Sequence, residues 1–332
     1  MVDLASHGGD IYRYERDVVD FSANINPLGL PPGIKKAIYS NLDKILHYPD
    51  PKAGKTTEKI AEYWRIDKEN ILLGNGTSEL IYLIVSCFQP KTVSIPVPTF
   101  SEYELATKRI GSSIRFLRLD ELESSNMEDM FFLCNPNNPT GNLFLGRIEN
   151  KQAKLIVVDE CFMDFLPDQK EHTSIWKSVK SRNLIVLRTF TKFFAMPGLR
   201  IGYLIGHKEI VEKLRQYQAP WSTNCLAQMA AELVLSDTDY IKKTHRLIEK
   251  ERNFLFEQLD KIDGLKPYPS VANFLLVKTK NSSLNLKESL IKKQILIRDC
   301  SNFRGLSDRY IRVAVRLHKE NLQLLAGLGE VL

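Results

Sequence analysis

The sequence is short of several things, and each shortage excludes a class of protein. Its 332 residues hold five cysteines, Cys87, Cys134, Cys161, Cys225 and Cys300. They stand far apart and several sit in apolar, strand-like runs. They therefore read as buried free thiols rather than as a disulfide framework or a metal site. Charge of one sign is not in excess: 46 Lys and Arg face 40 Asp and Glu, a net +6. The basic residues are scattered among acids, which leaves no footprint for a nucleic acid. No apolar run is long enough to cross a bilayer. The opening stretch MVDLASHGGDIYRYERD has no signal-peptide apolar core. There is no internal repeat and no low-complexity tract. These absences predict a soluble cytoplasmic protein with no nucleic-acid or membrane partner. Its length suffices for a large core and two domains.

What is present is a rhythm of short apolar runs. NILLGNG, KTVSIPVP, SIRFLRL, DMFFLCNP, KLIVVDE, NLIVLRTF and RIGYLIG are β-branched, apolar and ended by turn residues. Strands covered on both faces read this way. Helical segments such as TSELIYLIVSCF lie between them. The pattern predicts an α/β domain with a mostly parallel, seven-stranded sheet. In such sheets function collects at the carboxyl ends of strands. A long amphipathic helix, DYIKKTHRLIEKERNFLFEQLDKI, is closed by Asp263-Gly264. The strand-like pieces NFLLVKT, QILIRDC and YIRVAV follow and suggest a smaller α+β domain. The expected division is an N-terminal arm over 1–35 packing near the small domain, a large domain over 36–235 and a small domain over 236–332.

Four pieces fall just past predicted strands, and each offers a chemical tool. GNGTSE is a glycine-rich strand-to-helix turn, so Gly76, Thr77 and Ser78 can turn backbone N–H groups toward an anion. NPNNPTG supplies Asn138 in a turn-rich loop. LIVVDE places Asp159 at the end of a buried strand, where a carboxylate needs a partner such as a protonated ring nitrogen. RTFTKFFAMPGLRIGY holds Lys192 among apolar and hydroxyl residues, with Arg200 eight residues on. By itself that lysine reads as a solvated loop residue. Together the tools are complementary. The turn at 76–78, the hydroxyls of Thr189 and Thr191 and the Arg200 guanidinium would hold a phosphate. Phe100 in VPTF would stack on a ring, Asn138 would bond a ring oxygen, Asp159 would hold a ring nitrogen, and Lys192 would join an aldehyde as an imine. That set describes a site for pyridoxal 5′-phosphate.

A competing reading takes AGKTT, Ala53 to Thr57, as the end of a phosphate-binding loop of a nucleotide hydrolase. The spacing opposes it. The first glycine of that motif would fall at Pro49, and KILHYPDP is not a buried strand.

In their order, GNGTSE, VPTF, NPNNPTG, VVDE and TFTKFFAMPGLRIGY resemble the fold-type I aminotransferase superfamily over nearly the whole chain. The resemblance implies catalytic roles for Lys192 and Asp159. Within the superfamily two close families share YPDP, the histidinol-phosphate aminotransferases and the threonine-phosphate decarboxylases. In them the tyrosine matching Tyr48 reaches the cofactor phosphate of the neighbouring subunit, which implies a homodimer with shared sites. HGGDIY, DFSANINPLGLPPG, IRDCSNFRGLSDRYIRVAVR and Phe162 in DECFMDF resemble the decarboxylases. The aminotransferases usually carry tyrosine where Phe162 stands. The resemblance places His7, Gly8, Asn24, Asn138, Arg298 and Arg312 around a small phosphorylated amino-acid substrate. It implies loss of CO2 from phosphothreonine or phosphoserine, giving an aminoalkyl phosphate for the nucleotide loop of cobalamin. Histidinol-phosphate transamination is the alternative reaction.

Overall fold

The computed structural model describes residues 7–14, 17–122, 128–144, 146 and 151–332. Part of the N-terminal segment, residues 1–6 and 15–16, lies outside the described residues. The strands are β1 (Val19–Asp20), β2 (Ile71–Gly74), β3 (Thr92–Val97), β4 (Ser113–Arg118), β5 (Glu128–Cys134), β6 (Ala153–Asp159), β7 (Leu184–Thr189), β8 (Gly202–Gly206), β9 (Leu265–Pro267), β10 (Phe274–Thr279), β11 (Ile295–Leu296), β12 (Arg298–Asp299) and β13 (Tyr310–Ala314).

All seven apolar runs of the first two hundred residues become strands of one sheet, in the order β2-β8-β7-β6-β5-β3-β4. It is parallel except for β8, which runs against both neighbours. Period-two alternation divides its side chains between two cores. Val158 and Val186 pack on one face, Val157 and Leu187 on the other. Each fully buried aliphatic side chain of this kind contributes about 1.5–3 kcal/mol. Pro96 lies inside β3, where its missing N–H would break a ladder. Pairing of β3 with β5 stops at Ser94, so no bond to β5 is lost there.

The smaller sheet is antiparallel, in the order β12-β13-β10-β9. Two of its details differ from the sequence reading. QILIRDC is not one strand. It divides at Ile297, because β11 pairs with β1 of the N-terminal segment while β12 turns to pair with β13. The short edge strand β9 carries Lys266 and Pro267 and gives no apolar signal. The long helix spans Thr238–Asp260, its first turn capped by Asp237, and Gly264 follows at φ +87°. The N-terminal segment touches both sheets' surroundings. Phe21 is buried among Leu255, Leu286 and Ile311, and the Asn26 side chain donates to the Phe193 carbonyl at 2.7 Å. Among the described residues no helix is long and apolar enough to cross a membrane.

One buried ion pair ties the ends of β6 and β7 together. Arg188 is fully buried and donates to Glu160 at 3.0 Å and to Asp164 at 2.6 Å. Thr173 and the Ser174 N–H hold the Glu160 carboxylate from the other side. The guanidinium lies 5.0 Å from the centre of the Trp64 ring. Arg188→Met keeps much of the apolar bulk but leaves two buried carboxylates without their cation. It should lower the unfolding free energy by about 3–5 kcal/mol, measured by urea titration. A loss below about 1 kcal/mol would show that the carboxylates find other partners.

Candidate active site

The carboxyl edge of the large sheet faces the small sheet across a cavity of about 250 Å³. Because β2, β3, β5, β6 and β7 all point their carboxyl ends this way, the segments after them converge. They bring Gly76, Thr77, Ser78, Phe100, Asn138, Asp159, Thr189, Thr191 and Lys192 to one wall. The reversed strand β8 delivers Arg200 from its start to the same edge. His7, Gly8 and Asn24 arrive from the N-terminal segment, Arg298 and Arg312 from the small sheet. Every site residue expected from the sequence lines this cavity except Tyr48. Tyr48 is 81% exposed and stacks on Trp221 elsewhere on the surface.

At one end the geometry suits a phosphate. The helix Gly76–Phe88 opens onto the cavity, and the first turn of a helix leaves its N–H groups without internal partners. Gly76 has φ +78°, and a Cβ there would stand 2.5 Å from Arg200 Nη2. Only glycine lets the guanidinium lie over this turn. Thr189 and Thr191 share a hydroxyl contact of 2.9 Å. Thr189 also donates to the Ile201 carbonyl at 3.1 Å, so in the contact between the two hydroxyls Thr191 is the donor and Thr189 the acceptor.

On the floor, Asp159 is buried and doubly held. Tyr103 donates its hydroxyl to one carboxylate oxygen at 2.6 Å, and the Cys161 N–H reaches the other at 3.0 Å. Tyr103 is stacked on Phe132. Burial and the neighbouring carboxylate push its phenol well up, so it stays a donor. Lys192 stands nearby. Burial pushes its ammonium below the ordinary range, with Arg312 and Arg200 acting the same way. Its amine makes no hydrogen bond or ion pair with a described residue.

The opposite end is cationic. Arg312 is buried and donates to the Ser22 carbonyl at 2.7 Å and to Asn138 Oδ1. Burial pushes it down to about 10, still cationic at neutral pH. Its Nε and the Oδ1 of Asn24 are buried with no hydrogen-bond partner among the described residues. Arg298 donates to Asn302 at 2.8 Å and lies over Phe303. Gly8 passes so close to Ser22 that a Cβ would meet its carbonyl oxygen at 2.0 Å. His7 bonds Glu102 at 2.7 Å, whose other oxygen accepts from Tyr82 at 2.9 Å. Hydrogen bonding to His7 holds the Glu102 carboxyl low. Arg304 and Glu104 also line the cavity but neutralise each other. That leaves Lys192, Arg200, Arg298 and Arg312 against the carboxylate of Asp159.

Sequence reasoning missed Tyr103, Glu104, Cys161, Asn302, Phe303 and Arg304. Tyr103 had a signal, since it lies one helical turn beyond Phe100 of VPTF. Arg304 and Glu104 are 200 residues apart and had none. The competing phosphate loop is closed by the structure. Ala53 caps the helix Gly54–Trp64, and its Gly54 N–H is already held by Asp50 at 2.7 Å.

The family model described as aminotransferase class I and II matches residues 16–327. A Salmonella typhimurium threonine-phosphate decarboxylase is 35% identical over 99% of this chain and 97% of its own length. A Caldanaerobacter subterraneus protein provisionally named a threonine-phosphate decarboxylase is 40% identical, covering 97% of this chain and 92% of its own. The crystal structure of the histidinol-phosphate aminotransferase from Clostridium acetobutylicum superposes with a TM-score of 0.85 at 35% identity. That match covers 94% of this chain and 98% of the other.

The environment of Lys192 sets a pH dependence. A lysine with a lowered folded-state pKa opposes folding at pH below its ordinary 10.5, where the unfolded chain would keep the proton. Above that pH both states are neutral and the opposition vanishes. Near neutral pH, Lys192→Met should therefore raise the melting temperature of the ligand-free protein. The gain should shrink as pH rises past 10.5. An equal gain at about pH 8 and about pH 11 would trace it to packing instead of charge.

Proposed function

This chain belongs to the class I and II aminotransferase family and is a pyridoxal 5′-phosphate enzyme, and from that premise we propose that it removes CO2 from O-phospho-L-threonine or O-phospho-L-serine to leave an aminoalkyl phosphate. The observation that carries the reading is the paired guanidinium groups of Arg298 and Arg312 at the end of the cavity away from Gly76 and Arg200. One anion site is used by the cofactor phosphate. The cationic end then remains for a second ligand with two anionic groups, which a phosphoamino acid has.

The donor set fits the cofactor. The turn at Gly76–Ser78, Thr191 and Arg200 would form the phosphate cradle, with Thr189 holding Thr191 in place. Asp159 accepts one bond on each oxygen, from Tyr103 and the Cys161 N–H, and a remaining lone pair could accept a ring N–H. Asn138 would bond the ring oxygen and Phe100 would stack on the ring. Lys192 is the amine for covalent attachment, and burial favours its nucleophilic neutral form. When bound, the cofactor supplies an electron sink for the bond broken at the substrate Cα.

Which bond breaks is decided by the protein. With the cofactor bound, only a substrate bond held perpendicular to its ring would overlap the ring's π system and could release its electrons there. Arg312, pinned by Ser22 and Asn138, is placed to grip one substrate anion. Arg298, His7 and the N-terminal turn at Gly8 and Asn24 are placed to grip the other. A planar guanidinium suits carboxylate or phosphate. Fixing both ends turns the Cα–carboxylate bond out of plane. The carboxylate would leave as CO2 with its bonding electrons kept at Cα, and Lys192, having taken the proton that the substrate's ammonium gives up on displacing it, would return a proton there. Phosphothreonine and phosphoserine differ by one methyl group, worth about 1–3 kcal/mol in a pocket. As the family resemblance implies, the product would serve the nucleotide loop of cobalamin.

Incubated with phosphothreonine or phosphoserine and no keto acid, the enzyme should release CO2 over many turnovers. An aminotransferase would stop after one, with its cofactor aminated. Arg298→Ala and Arg312→Ala should each lose about 2–5 kcal/mol of transition-state binding, more than tenfold in kcat/KM. Steady turnover of histidinol phosphate with 2-oxoglutarate, and no CO2 from either phosphoamino acid, would overturn the reading.

The assembly is proposed to be a homodimer. Tyr48 lies outside its own cavity beside the exposed side chains of Ile45, Leu46 and Trp221. A second copy on this apolar surface would bring Tyr48 to the partner's cofactor phosphate. Tyr48→Ala and Lys192→Ala proteins, each inactive or weak, should regain activity when mixed, because a mixed dimer holds one intact site. Additive residual activity, or a fully active monomer in sedimentation, would refute the shared site.

A further inference from the structure

The mouth of the cavity is crossed by an ion pair that the proposed reaction does not use. Glu104 lies on the helix Glu102–Arg109 beside the large sheet and is only 4% exposed. Arg304 lies in the segment between β12 and β13 of the small sheet. Its Nε donates to Glu104 Oε2 at 3.1 Å and its Nη2 to Oε1 at 2.8 Å. This two-bonded fork fixes orientation as well as distance. The guanidinium also lies 4.0 Å from the centre of the Phe116 ring on β4. Lys108 adds a bond to Glu104 Oε1 at 2.7 Å from its own helix. Burial pushes the Glu104 carboxyl up, but Arg304 and Lys108 outweigh that and hold it low.

The same segment holds Arg298. Asn302 accepts from Arg298 Nη2 at 2.8 Å, and the Phe303 ring lies 5.1 Å below its guanidinium. Phe303 is itself seated against Cys300 and Leu276. Gly305, at φ +88°, passes near enough to Pro98 on the large-sheet side that a Cβ there would lie 3.5 Å from the Pro98 nitrogen. A continuous set of contacts thus runs from Glu104 through Arg304, Phe303 and Asn302 to Arg298.

We propose that Arg304 and Glu104 are a positioning pair. They fasten the segment Cys300–Gly305 across the cavity mouth and through it hold the Arg298 guanidinium in register with the large-sheet wall. The pair touches no reacting atom. The inference rests on the reading that Arg298 grips a substrate anion, and it adds what aims that grip. Asn302 and Phe303, which hold the Arg298 guanidinium, belong to the segment that Arg304 fastens.

Glu104→Ala separates positioning from simple charge. Removing a negative charge beside an anion site should tighten anion binding by Coulomb's law alone. Positioning demands the opposite: KM for phosphothreonine or phosphoserine should rise roughly tenfold, with kcat changed much less. Lys108→Ala, which removes the other partner of Glu104, should leave KM unchanged. In an Arg298→Ala background, Glu104→Ala should add nothing further, because there is no guanidinium left to aim. Arg304→Gln should repeat the KM effect from the other side if Glu104→Ala folds poorly. Limited trypsin digestion gives a readout free of any substrate. Cleavage after Arg304 should accelerate in Glu104→Ala holoenzyme but not in Lys108→Ala.

An unchanged or lowered KM in Glu104→Ala overturns the proposal, as does unchanged cleavage after Arg304. An undiminished effect in the Arg298→Ala background also overturns it, by showing that Arg304 acts on the ligand directly. The two readings fail separately. If wild-type enzyme releases no CO2, decarboxylation is lost. The same KM comparison is then made with histidinol phosphate and 2-oxoglutarate, and the trypsin comparison stands as it is.

Discussion

Neighbouring residues on a strand face opposite ways, and the site depends on how two strand ends resolve that constraint. Asp159 ends β6 and Glu160 follows it. Arg188 and Thr189 end β7. Asp159 and Thr189 turn to the cavity, so Glu160 and Arg188 must enter the core behind it. Two opposite charges there bond each other at 3.0 Å. Asp164 also binds Arg188, so the charges behind the cavity wall are held by one another and not by Asp159. Moving either strand by one residue would exchange the two sets and put the structural charges in the cavity.

The cavity wall also explains why the lysine and the aspartate coexist without pairing. Asp159 is satisfied by Tyr103 and the Cys161 N–H, so it has no need of the amine. Lys192 is left among cations that disfavour its own charge. The polarity of the site is thus built from both sides: a floor that carries the Asp159 carboxylate and walls that carry Lys192, Arg200, Arg298 and Arg312.

Much of this was legible in the sequence because the chemistry sits where strands stop. The seven apolar runs gave the large sheet, and the residues just after them gave the cavity wall. Legibility ended where a contact joined distant segments. Arg304 and Glu104 are ordinary charged residues until the fold brings them together. QILIRDC reads as one strand because its apolar pattern is unbroken, yet β1 and β13 compete for its two halves. Thr189 and Thr191 look equivalent in TFTK, and only the Ile201 carbonyl distinguishes them. AGKTT ends like a phosphate loop, but its spacing already opposed that reading, and Asp50 holds the Gly54 N–H from within. Tyr48 lies outside its own chain's cavity, exposed against Trp221.

The free thiols of the cavity have a bearing on chemoselectivity. Cys134 and Cys161 both line it, within reach of where an aldehyde would be held. A thiolate adds to an aldehyde faster than most nucleophiles do. Here burial, reinforced by the Asp159 charge, pushes both thiols up from their ordinary range. Burial moves Lys192 the other way, toward its neutral amine. One low-dielectric environment therefore silences two competing nucleophiles and sharpens the third, since the thiol becomes reactive by losing a proton to form an anion and the ammonium by losing one to become neutral.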